Sequence, residues 1–202
     1  TVSQNTIHFS ETGSSLSAQV VNFATSLSLL GSSIAISNNT ATTKFVLTGD
    51  ASGVAETYFT RVSAPLVGGS GSRLAIENNT ISFHVDCRAT EAMTSLQSMA
   101  VTVTANIELA DESHLNMRAN TMTATNLATT TSTPTQTTVI AFFLQVANVT
   151  VGGGGEFASA GSSLSVVANQ LVANMAQINA ATTTAVVYVQ QTSVFIGPGA
   201  RF

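Results

Sequence analysis

The chain has one cysteine, three prolines, no tryptophan and only 8% charged residues, and each shortage removes a class of protein. A lone thiol, Cys87, cannot form an intrachain disulfide framework or supply the sulfur ligands of a structural zinc site, so it reads as a buried, poorly reactive side chain. The six basic residues, Lys44, Arg61, Arg73, Arg88, Arg118 and Arg201, are scattered singly. No patch exists to neutralise a run of phosphates, and nucleic acid is not expected as a partner. No apolar run approaches the roughly 20 residues of a membrane-crossing helix, so no membrane span is expected. Tyrosine occurs only at Tyr58 and Tyr188, which leaves a carbohydrate-binding module without its aromatic platform and makes that the weakest reading. The chain begins at Thr1 without Met, which suits a processed leader or a trimmed end equally.

What the chain does have is hydroxyl groups and apolar residues. Ser and Thr exceed a quarter of the 202 residues, the apolar share is 44% and the net charge is -4. That is enough apolar material for one large β domain over residues 1–202. Its surface must be neutral and hydroxyl-rich, repelling neighbours weakly and favouring association.

The longest nearly unbroken apolar run is Val139 to Val146, interrupted only by Gln145. Its Val, Ile and Phe content favours extended chain, and both of its faces are apolar, which predicts a central strand covered on both sides. Further strands are expected over Thr1 to Ser10, Glu56 to Ser63, Ala100 to Leu109, Leu115 to Thr123 and Thr184 to Ile196. Helical spacing of apolar residues predicts helices over Ser14 to Leu30 and Ser162 to Asn179, with a shorter one over Thr90 to Met99. Ala124 to Gln136, rich in Thr, reads as a long surface loop or an extended edge segment. The fold class expected from these elements is mainly β, a sandwich or jelly-roll-like pair of sheets with one or two short helices.

An internal repeat stands out: Gly31-Ser-Ser-Ile-Ala-Ile-Ser-Asn-Asn-Thr40 recurs as Gly71-Ser-Arg-Leu-Ala-Ile-Glu-Asn-Asn-Thr80. Asn tolerates positive φ, so Asn38-Asn39 and Asn78-Asn79 suit two-residue hairpin turns, with Ile76 opposite Ile81 and Leu74 opposite Phe83. Two copies fall short of the three or more a solenoid array needs, so they read as two related hairpins. Asn38, Asn78 and Asn148 each begin an Asn-x-Thr sequon and are candidate glycan sites in a secreted protein.

No residue group carries a recognisable reaction, and the chain is read as a non-enzyme without cofactor or metal. Gly152 to Gly155 lacks the Lys-Ser/Thr of a phosphate-binding loop. His84, Asp86 and Cys87 are close in sequence, but on a strand His84 and Asp86 share one face and Cys87 takes the other. Glu108, Asp111, Glu112 and His114 lack the oxygen spacing of a calcium loop and read as a solvated turn. The expected function is therefore structural: a subunit of an extracellular or cell-surface assembly (pilus, fibre or surface layer) whose partners are copies of itself. Polymerisation would proceed by strand addition, with Thr1 to Ser10 as an exchangeable strand and Val2, Ile7 and Phe9 as anchors. The alternative is a viral outer capsid or spike protein located in the virion.

Overall fold

The computed structural model describes residues 1–13, 15–49, 54–89, 95–110, 112–130, 137–151, 161–178, 182–190 and 193–196. The chain winds as a solenoid of five coils, each contributing four strands. The first coil holds β1 (Val2–Ser3), β2 (Thr6–Gly13), β3 (Ser15–Phe23) and β4 (Leu27–Leu29); the second β5 (Ser33–Ser37), β6 (Thr40–Gly49), β7 (Val54–Val62) and β8 (Leu66–Gly68). The third holds β9 (Arg73–Glu77), β10 (Thr80–Ala89), β11 (Ser95–Val103) and β12 (Ile107–Leu109); the fourth β13 (His114–Arg118), β14 (Thr121–Thr130), β15 (Thr137–Val146) and β16 (Asn148–Val151). The fifth holds β17 (Ser163–Val167), β18 (Gln170–Ile178), β19 (Thr182–Gln190) and β20 (Ser193–Ile196). Each strand pairs in parallel with its counterparts one coil before and after, producing four five-stranded sheets. This is a four-sided parallel β-helix.

The expected sandwich with helices is therefore wrong. A sandwich packs two sheets face to face, whereas here four parallel sheets enclose a common interior and no helix occurs among the described residues. One buried cluster draws on all four sides, with Ile36, Ala41, Phe59 and Leu66 from one coil and Ile76, Ile81, Ala100 and Ile107 from the next. A second cluster fills the far end of the cross-section between the two long sheets, with Phe45, Leu47, Val85 and Cys87 facing Leu16, Ala55 and Leu96.

Corners explain the misread periodicities. The helix expected over Ser14 to Leu30 is β3 and β4 instead, and that expected over Ser162 to Asn179 is β17 and β18; Ser14 and Asn179 lie outside the described residues. In the second case Ala168 adopts φ 54° between the strands. The turn resets which residues point inward, so Leu164 and Leu171 mimic a seven-residue helical step. In β3 the pairing with β7 skips Val20 and Phe59, and the strand bends there. The shortest expected helix, Thr90 to Met99, is extended from Ser95 on as the start of strand β11, while residues 90–94 lie outside the described set. Ala100 to Leu109 is likewise divided by a corner between β11 and β12, and Leu115 to Thr123 by one between β13 and β14. The expected loop from Ala124 begins inside β14, which is an interior strand between β10 and β18. Val139 to Val146 does lie in an interior strand, β15, flanked by β11 and β19; Leu144 and Val146 are buried.

The two Asn-Asn pairs are corners between adjacent sheets, not hairpin tips. Asn38 and Asn78 take φ 56° and 54°, while Asn39 and Asn79 do not adopt positive φ; a two-residue type I′ turn needs positive φ at both. Ile76 pairs with Ile36 and Met117 in neighbouring coils, and Ile81 with Ala41 and Met122.

Candidate functional site: the asparagine ladder and the open first coil

At one corner of every coil the residue after a positive-φ position is an asparagine: Asn5, Asn39, Asn79, Asn120 and Asn169, following Gln4, Asn38, Asn78, Ala119 and Ala168. Corner geometry turns these side chains inward, where they stack along the helix axis. Asn39 donates from its main-chain N–H and from Nδ2 to Asn79 Oδ1, both at 3.0 Å. Asn79 does the same to Asn120 Oδ1 at 3.0 and 2.8 Å, and Asn120 to Asn169 Oδ1 at 2.9 and 2.8 Å. Each Nδ2 also reaches back one coil to a carbonyl, Asn39 to Val2, Asn79 to Ile36, Asn120 to Ile76 and Asn169 to Met117. Asn39, Asn79 and Asn120 are at most 2% exposed, so the ladder satisfies polar groups that water cannot reach.

A second column occupies the other corner. Ser72 Oγ donates to Leu29 O at 2.7 Å, Ser113 Oγ to Gly69 O at 2.7 Å and Ser162 Oγ to Ala110 O at 2.7 Å. Each of these serines also follows a positive-φ residue, namely Gly71, Glu112 and Gly161. The motif linking the two corners recurs more often than the sequence reading found: Glu112-Ser-His-Leu-Asn-Met-Arg-Ala-Asn-Thr121 and Gly161-Ser-Ser-Leu-Ser-Val-Val-Ala-Asn-Gln170 are further copies. The ladder asparagines are 34, 40, 41 and 49 residues apart. A fixed 40-residue comparison misses the drift; Ser-x-Leu/Ile followed five residues later by Asn is the signal that finds it.

Both columns break at the first coil. Asn5 N–H and Nδ2 donate forward to Asn39 Oδ1 at 3.1 and 3.0 Å. With no preceding coil among the described residues, Asn5 Nδ2 folds back onto Ser3 O at 3.0 Å, and Ser32 Oγ onto Leu30 O at 3.2 Å. The strand edges of β1 to β4 that face away from the second coil have no neighbouring strand among the described residues. A cleft of about 550 Å³ opens between β2 and β3 at this end, lined by Phe9, Ser10, Glu11, Ser17, Ala18, Gln19 and Phe45.

The expected anchors are all in this coil. Val2 and Ile7 are half-buried and Phe9 is 37% exposed. They sit on β1 and β2, which pair with β5 and β6 of the same chain. Of the sequons, Asn38 and Asn78 are exposed at corners, whereas Asn148 is half-buried and donates from Nδ2 to Asn106 Oδ1 at 3.0 Å.

Other candidate residues are dispersed. Cys87 is fully buried while His84 and Asp86 face outward, and Asp86 pairs with Arg88 at 2.7 Å. Glu108 and Glu112 are exposed, and His114 Nδ1 lies 2.9 Å from Ser163 Oγ. No group of three or more His, Cys, Asp or Glu side chains arranged for a metal occurs among the described residues; Asp111 and Gly152 to Gly155 lie outside them. On the outer face of β7, Tyr58 donates to Glu56 Oε2 at 2.9 Å and carries the Arg61 guanidinium 4.7 Å above its ring. Burial, reinforced by the hydrogen bond to the Glu56 carboxylate, pushes the Tyr58 hydroxyl up to about 12. No described helix is long and apolar enough to cross a membrane. No protein-family model, curated protein or solved structure matches this chain.

Proposed function

We propose that the chain is a non-enzymatic structural subunit of an extracellular or cell-surface assembly, of the pilus, fibre or surface-layer kind, built from copies of itself by strand addition. The observation that carries this reading is the first coil, where one edge of β1 to β4 has no neighbouring strand among the described residues and Val2, Ile7 and Phe9 are only partly covered. Such an edge is a template for another strand unless something covers it. The outward face of the second sheet side carries a hydroxyl row, Thr42, Ser82 and Thr123, beside Lys44, His84 and the Asp86–Arg88 ion pair. Electron microscopy of the native particle tests the proposal. Ordered fibres or arrays are expected; a dispersed monomer in native extracts and at high concentration would overturn it.

A further inference from the structure

We propose that the far end of the cross-section, where the second and third sheets face each other, opens as a unit of its own along a buried polar seam, exposing Cys87 while the corners and the asparagine ladder stay closed. The proposal goes beyond the structural-subunit reading and does not depend on it. Three observations in the second and third coils point to it.

The first is that the interior there is two apolar clusters and not one. On β6, Ala41 belongs to the large cluster and Phe45 to the small one; on β7, Phe59 and Ala55 divide in the same way, and on β11, Ala100 and Leu96. On each of these strands the inward residue at the boundary is polar: Thr43, Thr57 and Ser98, all 0% exposed. In the next coil β14 contributes buried Asn126, one inward step beyond Ala124 of the large cluster. A line of hydroxyl and amide groups therefore crosses the interior where apolar contact would otherwise join the two clusters.

The second is how the seam is satisfied. Thr57 Oγ1 donates to Ser98 Oγ at 3.1 Å, and Ser98 Oγ donates to Asn126 Oδ1 at 3.0 Å. Thr43 Oγ1 is buried without a hydrogen-bond partner among the described residues. An unmet hydroxyl penalises the closed form and regains its hydrogen bonds once water reaches it. The cost of closure is thus concentrated at the seam.

The third is what holds the two sheets together at this end. Main-chain pairing runs within each sheet, β6 with β2 and β10, and β7 with β3 and β11. No main-chain hydrogen bond joins the second sheet to the third among the described residues. Closure rests there on the side chains of the small cluster, Cys87 among them, and on the Thr57–Ser98–Asn126 chain. A region with its own small core and no shared main-chain bonds across it opens at lower free energy than the whole fold.

Alkylation of Cys87 in the full chain, followed at denaturant concentrations below the unfolding transition, tests this. Cys87 should label through an opening whose denaturant dependence is well below that of global unfolding, because less surface is exposed. A thiol placed in the large cluster, Ala100→Cys in a Cys87→Ala chain, should label only with the global dependence. Thr43→Val, which replaces the unmet hydroxyl with a methyl group, should slow Cys87 labelling about tenfold, and Ser98→Ala, which removes the link between Thr57 and Asn126, should speed it. Circular dichroism confirms that each variant is folded, and the dependence measured on the unsubstituted chain requires no variant at all. Cys87 labelling with the full global dependence would show that the interior opens only as a whole. A Cys87 rate unmoved by both Thr43→Val and Ser98→Ala would show that the seam is not the line of opening. Either result overturns the proposal, and neither bears on whether the chain assembles.

Discussion

Replacing Asn79 with Ala removes the middle of the ladder and should be among the most damaging single substitutions in the chain. The side chain takes part in four hydrogen bonds: Oδ1 accepts from Asn39 N–H and Nδ2, and Nδ2 donates to Ile36 O at 2.9 Å and Asn120 Oδ1 at 2.8 Å. At about 1 kcal/mol net each, with the Asn39 main-chain N–H left without this acceptor in a site that is 2% exposed, the loss is about 3 to 5 kcal/mol. That is a large fraction of the roughly 5 to 15 kcal/mol that holds a domain together. Asn5→Ala is the control. It removes only the two bonds donated by Nδ2, at an exposed end, and should cost about 1 kcal/mol or less in the monomer. Denaturant unfolding of both variants under dilute, non-assembling conditions measures the difference. Because a solenoid is stabilised coil by coil through neighbouring interfaces, Asn79→Ala should also separate unfolding into two steps. Equal losses in the two variants would mean that the ladder contributes no net stability and that the coils are held by strand pairing and apolar packing alone.

Three further outcomes follow from particular side chains. The Tyr58 hydroxyl, pushed up to about 12 from an ordinary 10.0, holds its proton longer in the folded than in the unfolded chain; its stabilisation is complete below pH 10, is lost as pH rises from 10 to about 12, and amounts to about 1 to 2 kcal/mol. Tyr58→Phe should flatten that part of the stability profile, and an unchanged alkaline slope would show that Tyr58 is not its source. In a glycosylating host, Asn38 and Asn78 should be modified and half-buried Asn148 spared; since the first two stack on successive coils about 4.8 Å apart, a single chain should carry a glycan at one or the other, which intact-mass spectrometry decides. Cys87, with no exposed surface, should resist alkylation until the chain opens, so labelling of the folded protein as fast as a free thiol would contradict its placement in the interior.

Much of the local architecture was legible in the residues. Interior strand β15 follows from the apolar run ending at Val146, and the positive-φ corners at Asn38 and Asn78 follow from asparagine's tolerance of that conformation. The opposed faces of His84 and Cys87 follow from strand alternation. The first coil was visible only in outline, as Val2, Ile7 and Phe9 spaced among polar neighbours. The ladder at Asn39, Asn79 and Asn120 was hidden because a buried asparagine and a turn asparagine are the same letter, and the last repeat is displaced by 49 residues instead of 40.

What the sequence by itself determined is that much of this chain is extended, turns at Asn and Gly positions, and alternates apolar residues with hydroxyls along its clearest strands, while the helical spacing at Leu16 to Leu30 and Leu164 to Ile178 pointed the wrong way. Alternation states which side of a strand is buried but not which strand lies beside it. Ile76 satisfies an antiparallel partner across a hairpin as well as a parallel partner a whole coil away. Only the tertiary structure decided between them, because the parallel arrangement brings Asn39, Asn79 and Asn120 into one column, where they satisfy each other's buried donors and acceptors, and four sheets then close around a single interior.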